Sequence, residues 1–143
     1  MNIALSELEH LTVRALQAAG ASALQAQATA RALVAADAQG LASHGVSRVP
    51  MYVGHLRAGR VDGQAVPSVR APMPAAALVD AGDGFAFPAC ELAVQEASNR
   101  ALTQGVGIAA VCNSHHFGAA GQHLLPAAER GLVALALGNS PAA

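Results

Sequence analysis

From residue 76 onward, short apolar runs alternate with longer helical ones, and this alternation constrains the fold more than any other feature of the chain. AALVD (76–80) reads as a strand, AGDG (81–84) as a turn and PACELAVQEASNRALTQ (88–104) as a helix. GIAAVC (107–112) then reads as a strand, AGQHLLPAAER (120–130) as a helix and LVALALGN (132–139) as a strand. A βαβαβ order predicts an α/β fold with parallel strand pairs, right-handed crossovers and helices over the sheet faces.

The chain before this region has a different period. Ser6 with Glu9 has capping-box spacing, and apolar residues recur at helical period until Gly20. Ser22 with Gln25 repeats the device, and a second helix runs to Gly40, so the two should pack as a hairpin. Ser47 is placed to cap a third helix that takes Pro50 in its first turn and stops at Gly59. Arg48, Tyr52 and His55 lie at i, i+4 and i+7 on one face of that helix, an unusually polar face for this chain. VDGQAVPSVRAPMPA (61–75) is rich in proline and glycine and reads as an extended connection. The expected division is therefore an N-terminal helical region over residues 1–70 and the first part of an α/β domain over 71–143.

With 53% hydrophobic and 12% charged residues the chain is globular, and at net charge −1 with scattered arginines it lacks the footprint of a nucleic-acid binder. The N-terminal residues do not read as a signal peptide, and no apolar run reaches the ~18 residues of a membrane span. A cytoplasmic protein without membrane or nucleic-acid partners is expected. Cys90 and Cys112 read as buried free thiols. LVALALGN, apolar throughout, needs cover on both faces, yet only SPAA follows it. This predicts a truncated domain.

Two motifs carry candidate chemistry, and one apparent motif does not. GVGIAA (105–110) matches a dinucleotide fingerprint, but a helix precedes it and a strand follows, the reverse of the required context, so Gly105 reads as a helix C-cap. NSHHFGAAG (113–121) has a strand before it and a helix after, the position at which parallel sheets bind ligands. Unpaired N–H groups at the new helix could receive phosphate or carboxylate, and Gly118, Ala119 and Ala120 would let a large ligand approach the backbone. The plainer reading is a βα connection whose small residues serve packing. Adjacent His115 and His116 point to opposite faces of an extended segment and rarely chelate one ion together, so no metal is expected. In SHGVSR (43–48), His44 can give or take a proton, Ser43 can orient it, and Arg48 offers a planar fork to a carboxylate. A solvated helix start is the alternative.

SHGVSRVPMYVGHLRAG and VCNSHHFGAAGQH together resemble the malate/L-lactate dehydrogenase family, which is distinct from the Rossmann-type lactate dehydrogenases, and the similarity runs through nearly the whole chain. The resemblance implies a non-Rossmann topology and a homodimer. It also implies NAD or NADP as cofactor, with 2-hydroxy, 2-oxo or cyclic imino acids as small-molecule substrates. It implies that His44 is the proton donor or acceptor, Ser43 its relay partner and Arg48 the clamp on the substrate carboxylate. His116, Phe117, Gly118, Ala119 and Ala120 would lie against the nicotinamide cofactor, with His116 a rival acid–base group. His115 receives no role. The expected function is hydride transfer between the cofactor and C2 of such an acid. The alternatives are an inactive fragment or dimerisation module of such an enzyme, and a metal-dependent hydrolase using His44, His115 and His116.

Overall fold

The computed structural model describes residues 3–139. Helices α1 (Leu5–Ala18) and α2 (Ala23–Ala38) pack against each other as the expected hairpin. Ser22 caps α2, its hydroxyl accepting the Gln25 N–H at 3.3 Å. The same spacing at Ser6 and Glu9 is not used. Helix α1 starts two residues earlier, from an extended Ala4, and the Leu8 N–H donates to the Ala4 carbonyl at 3.0 Å. Its first turn is exposed, so water can satisfy the donors a cap would have taken. Gln25, expected to reach back to the Ser22 backbone, is fully buried instead. Its amide donates to the Ala65 carbonyl at 2.8 Å and accepts the Phe85 N–H at 3.0 Å, tying the helical layer to the α/β part.

Two short 3₁₀ turns, Ala42–His44 and Val46–Arg48, lead into α3 (Val49–Arg57), with Pro50 in its first turn. Ser47 does not cap α3. It lies within the second turn and its hydroxyl donates to the Ala42 carbonyl at 2.6 Å. Arg48 is already helical where an N-cap would be extended, so α3 is entered from helical backbone without capping geometry.

The remaining order is ββαβα. Strand β1 (Ser68–Met73) lies inside the stretch expected to be an extended connection and pairs antiparallel with β2 (Ala76–Asp80). Helix α4 (Ala86–Gln104) ends at Gly105, whose φ of 80° confirms the C-cap. The next strand, β3 (Ile108–Cys112), pairs parallel with β2, and α5 (Ala120–Glu129) follows it. The sheet is thus mixed, in the order β1-β2-β3, with one parallel pair among the described residues. LVALALGN forms no ladder there, and Val133, Leu135 and Leu137 are 90% or more exposed. An apolar run becomes a strand only where a neighbouring edge accepts its hydrogen bonds, and β3 does not pair with it.

Helix α4 covers one face of the sheet through Val79, Ala81, Ala89 and Ala93. A second core joins Leu16 and Leu33 of the hairpin to Tyr52, Val61, Phe85 and Phe87, so residues on either side of position 70 share it. Among the described residues no helix is long and apolar enough to cross a membrane.

Candidate functional site

The 3₁₀ segment that carries SHGVSR is held from α2. The Asp37 carboxylate accepts the Val46 N–H at 2.8 Å and fills the space that a Cβ on Gly45 would need. A side chain at position 45 would therefore have to displace the Asp37 carboxylate. Within the segment, Ser43 Oγ lies 3.0 Å from His44 Nδ1. Arg48 Nε donates to the Ser43 carbonyl at 2.6 Å, and its terminal nitrogens have no hydrogen-bond partner among the described residues.

The loop carrying NSHHFGAAG continues the parallel pairing of β2 and β3 past their ends. The Ala81 N–H donates to Cys112 O at 3.0 Å, Asp83 N–H to Asn113 O at 2.8 Å, and His115 N–H to Gly84 O at 3.2 Å. Asn113 turns the chain with a left-handed φ of 49°. Its side-chain amide donates at 3.1 Å to both oxygens of the Asp80 carboxylate, which also accepts the Gly82 N–H at 2.9 Å. These donors, the Gly82 amide foremost, hold Asp80 below the usual carboxylate range despite a small opposing desolvation.

Tertiary packing joins the two motifs. The rings of His44 and His116 are stacked, with centroids 5.8 Å apart and planes at 25°. Tyr52 Oη lies 3.0 Å from His116 Nδ1, and the Gly118 N–H donates to the same nitrogen at 3.2 Å. One turn on, His55 Nδ1 lies 2.8 Å from His115 Nε2. The polar face of Arg48, Tyr52 and His55 thus meets the histidine pair of the loop, and His115 acquires a partner that the sequence did not suggest.

Burial and charge bias this cluster toward neutral forms. Burial pushes the Tyr52 phenol up to about 12, and the neighbouring Arg48 offsets it only in part. His115 is pushed down to about 4 by burial first, then by His55, His116 and Arg60. His116 also lies below the usual imidazole range, through burial, then Arg48, then His44.

Ser43, His44, Arg48 and His116 are therefore brought together. Phe117 packs beyond them against His123, and the Phe117 carbonyl lies 2.6 Å from His123 Nε2. Gly118 needs its φ of 73°, and a Cβ there would come within 2.9 Å of the Phe87 ring. Ala119 precedes α5 in extended conformation without a side-chain cap, and Ala120 is the first residue of α5. A cavity of about 410 Å³ between α2, α4 and α5 is lined by Arg31, Phe87, Glu91, Gln122 and His123 among others. His44, Arg48 and His116 are not in its wall, so it does not mark the place where they meet. No three His, Cys, Asp or Glu side chains form a metal-ligand set among the described residues. Sequence reasoning missed Asp37 and Asp80 as the groups that hold the two motifs, because their partners are brought to them only by the fold.

The family model described as malate/L-lactate dehydrogenase matches residues 3–143. The (2R)-3-sulfolactate dehydrogenase (NADP(+)) of Chromohalobacter salexigens is 44% identical over 143 residues, covering 99% of this chain and 42% of that protein. The crystal structure of Δ1-piperideine-2-carboxylate reductase from Pseudomonas syringae is 37% identical with a TM-score of 0.87, covering 92% of this chain and 40% of the other. Malate dehydrogenase from Pyrococcus horikoshii is 33% identical with a TM-score of 0.84, covering 92% and 38%. The chain spans about two fifths of the length of these relatives.

Proposed function

The chain belongs to the malate/L-lactate dehydrogenase family, and from that premise we propose that its site serves hydride transfer between NAD or NADP and C2 of a small 2-hydroxy, 2-oxo or cyclic 2-imino carboxylate. The observation that carries this reading is the stacking of His44 on His116, from motifs far apart in sequence, with the Arg48 guanidinium beside them.

Each residue has a task that follows from its contacts. Arg48 is anchored through Nε to the Ser43 carbonyl, so its two terminal nitrogens remain as a fork for the substrate carboxylate. A carboxylate held there fixes the direction of the neighbouring C2 atom. His44 gives a proton to the C2 oxygen or nitrogen on reduction and takes it back on oxidation, while the Ser43 hydroxyl holds Nδ1 and orients the ring. The loop suits a flat cofactor. Residues 118–120 carry nothing beyond a methyl group, and His116 Nε2 has no hydrogen-bond partner among the described residues. When bound, the nicotinamide supplies or accepts the hydride.

The names of the relatives support the substrate class, since sulfolactate, malate and piperideine-2-carboxylate each place a carboxylate beside a C2 that bears oxygen or nitrogen. The reading assigns substrate and acid–base groups to residues 1–70 and the beginning of the cofactor-binding domain to residues 71–143. From the resemblance it also takes a cytoplasmic homodimer, which sedimentation would test. The main test is NAD(P)H oxidation by the purified protein with a panel of 2-oxo acids and Δ1-piperideine-2-carboxylate. Turnover of at least one is expected, with a loss of about 10²–10⁴-fold in His44→Ala. Full activity in that variant overturns the role of His44.

A further inference from the structure

The hydrogen bonds around His116 define where its proton sits. A backbone amide can only donate, so the Gly118 N–H requires Nδ1 to present a lone pair. A neutral ring then carries its proton on Nε2, and the Tyr52 hydroxyl, 3.0 Å from the same Nδ1, is also a donor. Tyr52 is fully buried, with its ring 5.1 Å from that of Phe85 and 5.3 Å from that of His115, so the hydroxyl is held in place. His116 Nε2 has no partner among the described residues and is not one of the buried polar atoms left orphaned.

We propose that Tyr52 and the Gly118 amide lock His116 in its Nε2–H tautomer, so that His116 acts as a fixed, neutral hydrogen-bond donor to a carbonyl oxygen and not as a proton carrier. Tyr52 is then a positioning residue. Burial, Arg48 and His44 all oppose the imidazolium, which keeps the donor neutral. The identity of the acceptor rests on the function read above. Two carbonyl oxygens fit, that of the nicotinamide carboxamide and that of the 2-oxo acid. The tautomer itself does not depend on the function.

Long-range ¹H–¹⁵N correlation spectra of the labelled protein at neutral pH read the tautomer without cofactor or turnover. The expected result is an unprotonated Nδ1 and a protonated Nε2 for His116, with a second tautomer emerging in Tyr52→Phe. A protonated Nδ1 overturns the proposal, and a Tyr52→Phe spectrum identical to wild type overturns the role of Tyr52. Failure of the spectra is thus separable from failure of the enzymatic reading. In turnover, His116→Gln keeps an N–H donor but cannot carry a proton, so it should retain kcat/KM within about tenfold, whereas His116→Leu should lose about a hundredfold. Equal losses in the two variants overturn the donor role. Weaker NAD(P)H binding in His116→Leu assigns the acceptor to the carboxamide, and a raised substrate KM with unchanged cofactor binding assigns it to the substrate. Wild-type binding and turnover in that variant overturn the proposal.

Discussion

Gly45 is confined by the side chain of Asp37. A methyl group there would land on the Asp37 carboxylate, the group that accepts the Val46 N–H and sets the direction of the 3₁₀ segment carrying His44 and Arg48. Gly45→Ala should therefore cost about 1–3 kcal/mol of stability by overpacking. In an Asp37→Ala background the clash is absent and the cost should largely disappear, a coupling a double-mutant cycle in urea would read. Additive losses would mean the two residues are not in contact. Arg48 makes a second demand at the same scale. Its Nε contact with the Ser43 carbonyl is what aims the remaining fork, and lysine cannot both make that bond and present two parallel donors. Arg48→Lys should raise KM about tenfold or more with a smaller change in kcat, the sign of lost carboxylate binding. A variant with unchanged KM would remove Arg48 from the substrate.

At the scale of elements, the loop of residues 113–119 depends on the turn of residues 81–84. Asp80 accepts from Asn113 and Gly82, and three backbone bonds extend the strand pairing into the two loops. Asp80→Ala should speed amide hydrogen exchange of Asp83 and His115 while leaving β2 and α4 protected. Uniform acceleration across α4 would instead indicate general destabilisation. The contrast between these elements shows what the sequence could reveal. The hairpin, β2, α4, β3 and α5 were legible because each has a buried stripe or a run bounded by glycine. Strand β1 was not, because all six of its side chains are exposed and it carries Pro72, leaving no alternation to read. Ser22 caps and Ser6 does not, although both have the spacing, because exposed donors at α1 have water available. Of the site, Ser43, His44, Arg48 and His116 were visible as chemistry, and the shared face of Arg48, Tyr52 and His55 as geometry. That this face meets His115 and His116 was hidden, because those contacts span about sixty residues of chain.

Those same contacts make the stability of the whole molecule depend on pH. His115 sits where α3, the 85–87 segment and the β3–α5 loop meet, with its ring against Tyr52, Phe85 and His55, and its Nδ1 is buried without a partner among the described residues. The imidazolium is therefore disfavoured in the fold by desolvation and by neighbouring His55, His116 and Arg60. The unfolded chain binds this proton near the ordinary value of 6.5, whereas the folded chain binds it only near about 4. Between those values the unfolded state holds more protons, so unfolding free energy rises with pH there. The contribution is fully present above about 6.5 and is lost as pH falls toward about 4. His116, depressed for similar reasons, adds in the same direction, while the depressed Asp80 acts at lower pH, below the ordinary carboxylate range. The urea midpoint should therefore fall between pH 7.5 and 4.5. In His115→Asn, which cannot titrate, the midpoint should start lower at pH 7.5, because packing is lost, and then decline less steeply. Parallel declines in the two proteins would mean that the junction tolerates a charged His115, and the acid sensitivity would then have to come from elsewhere in the chain.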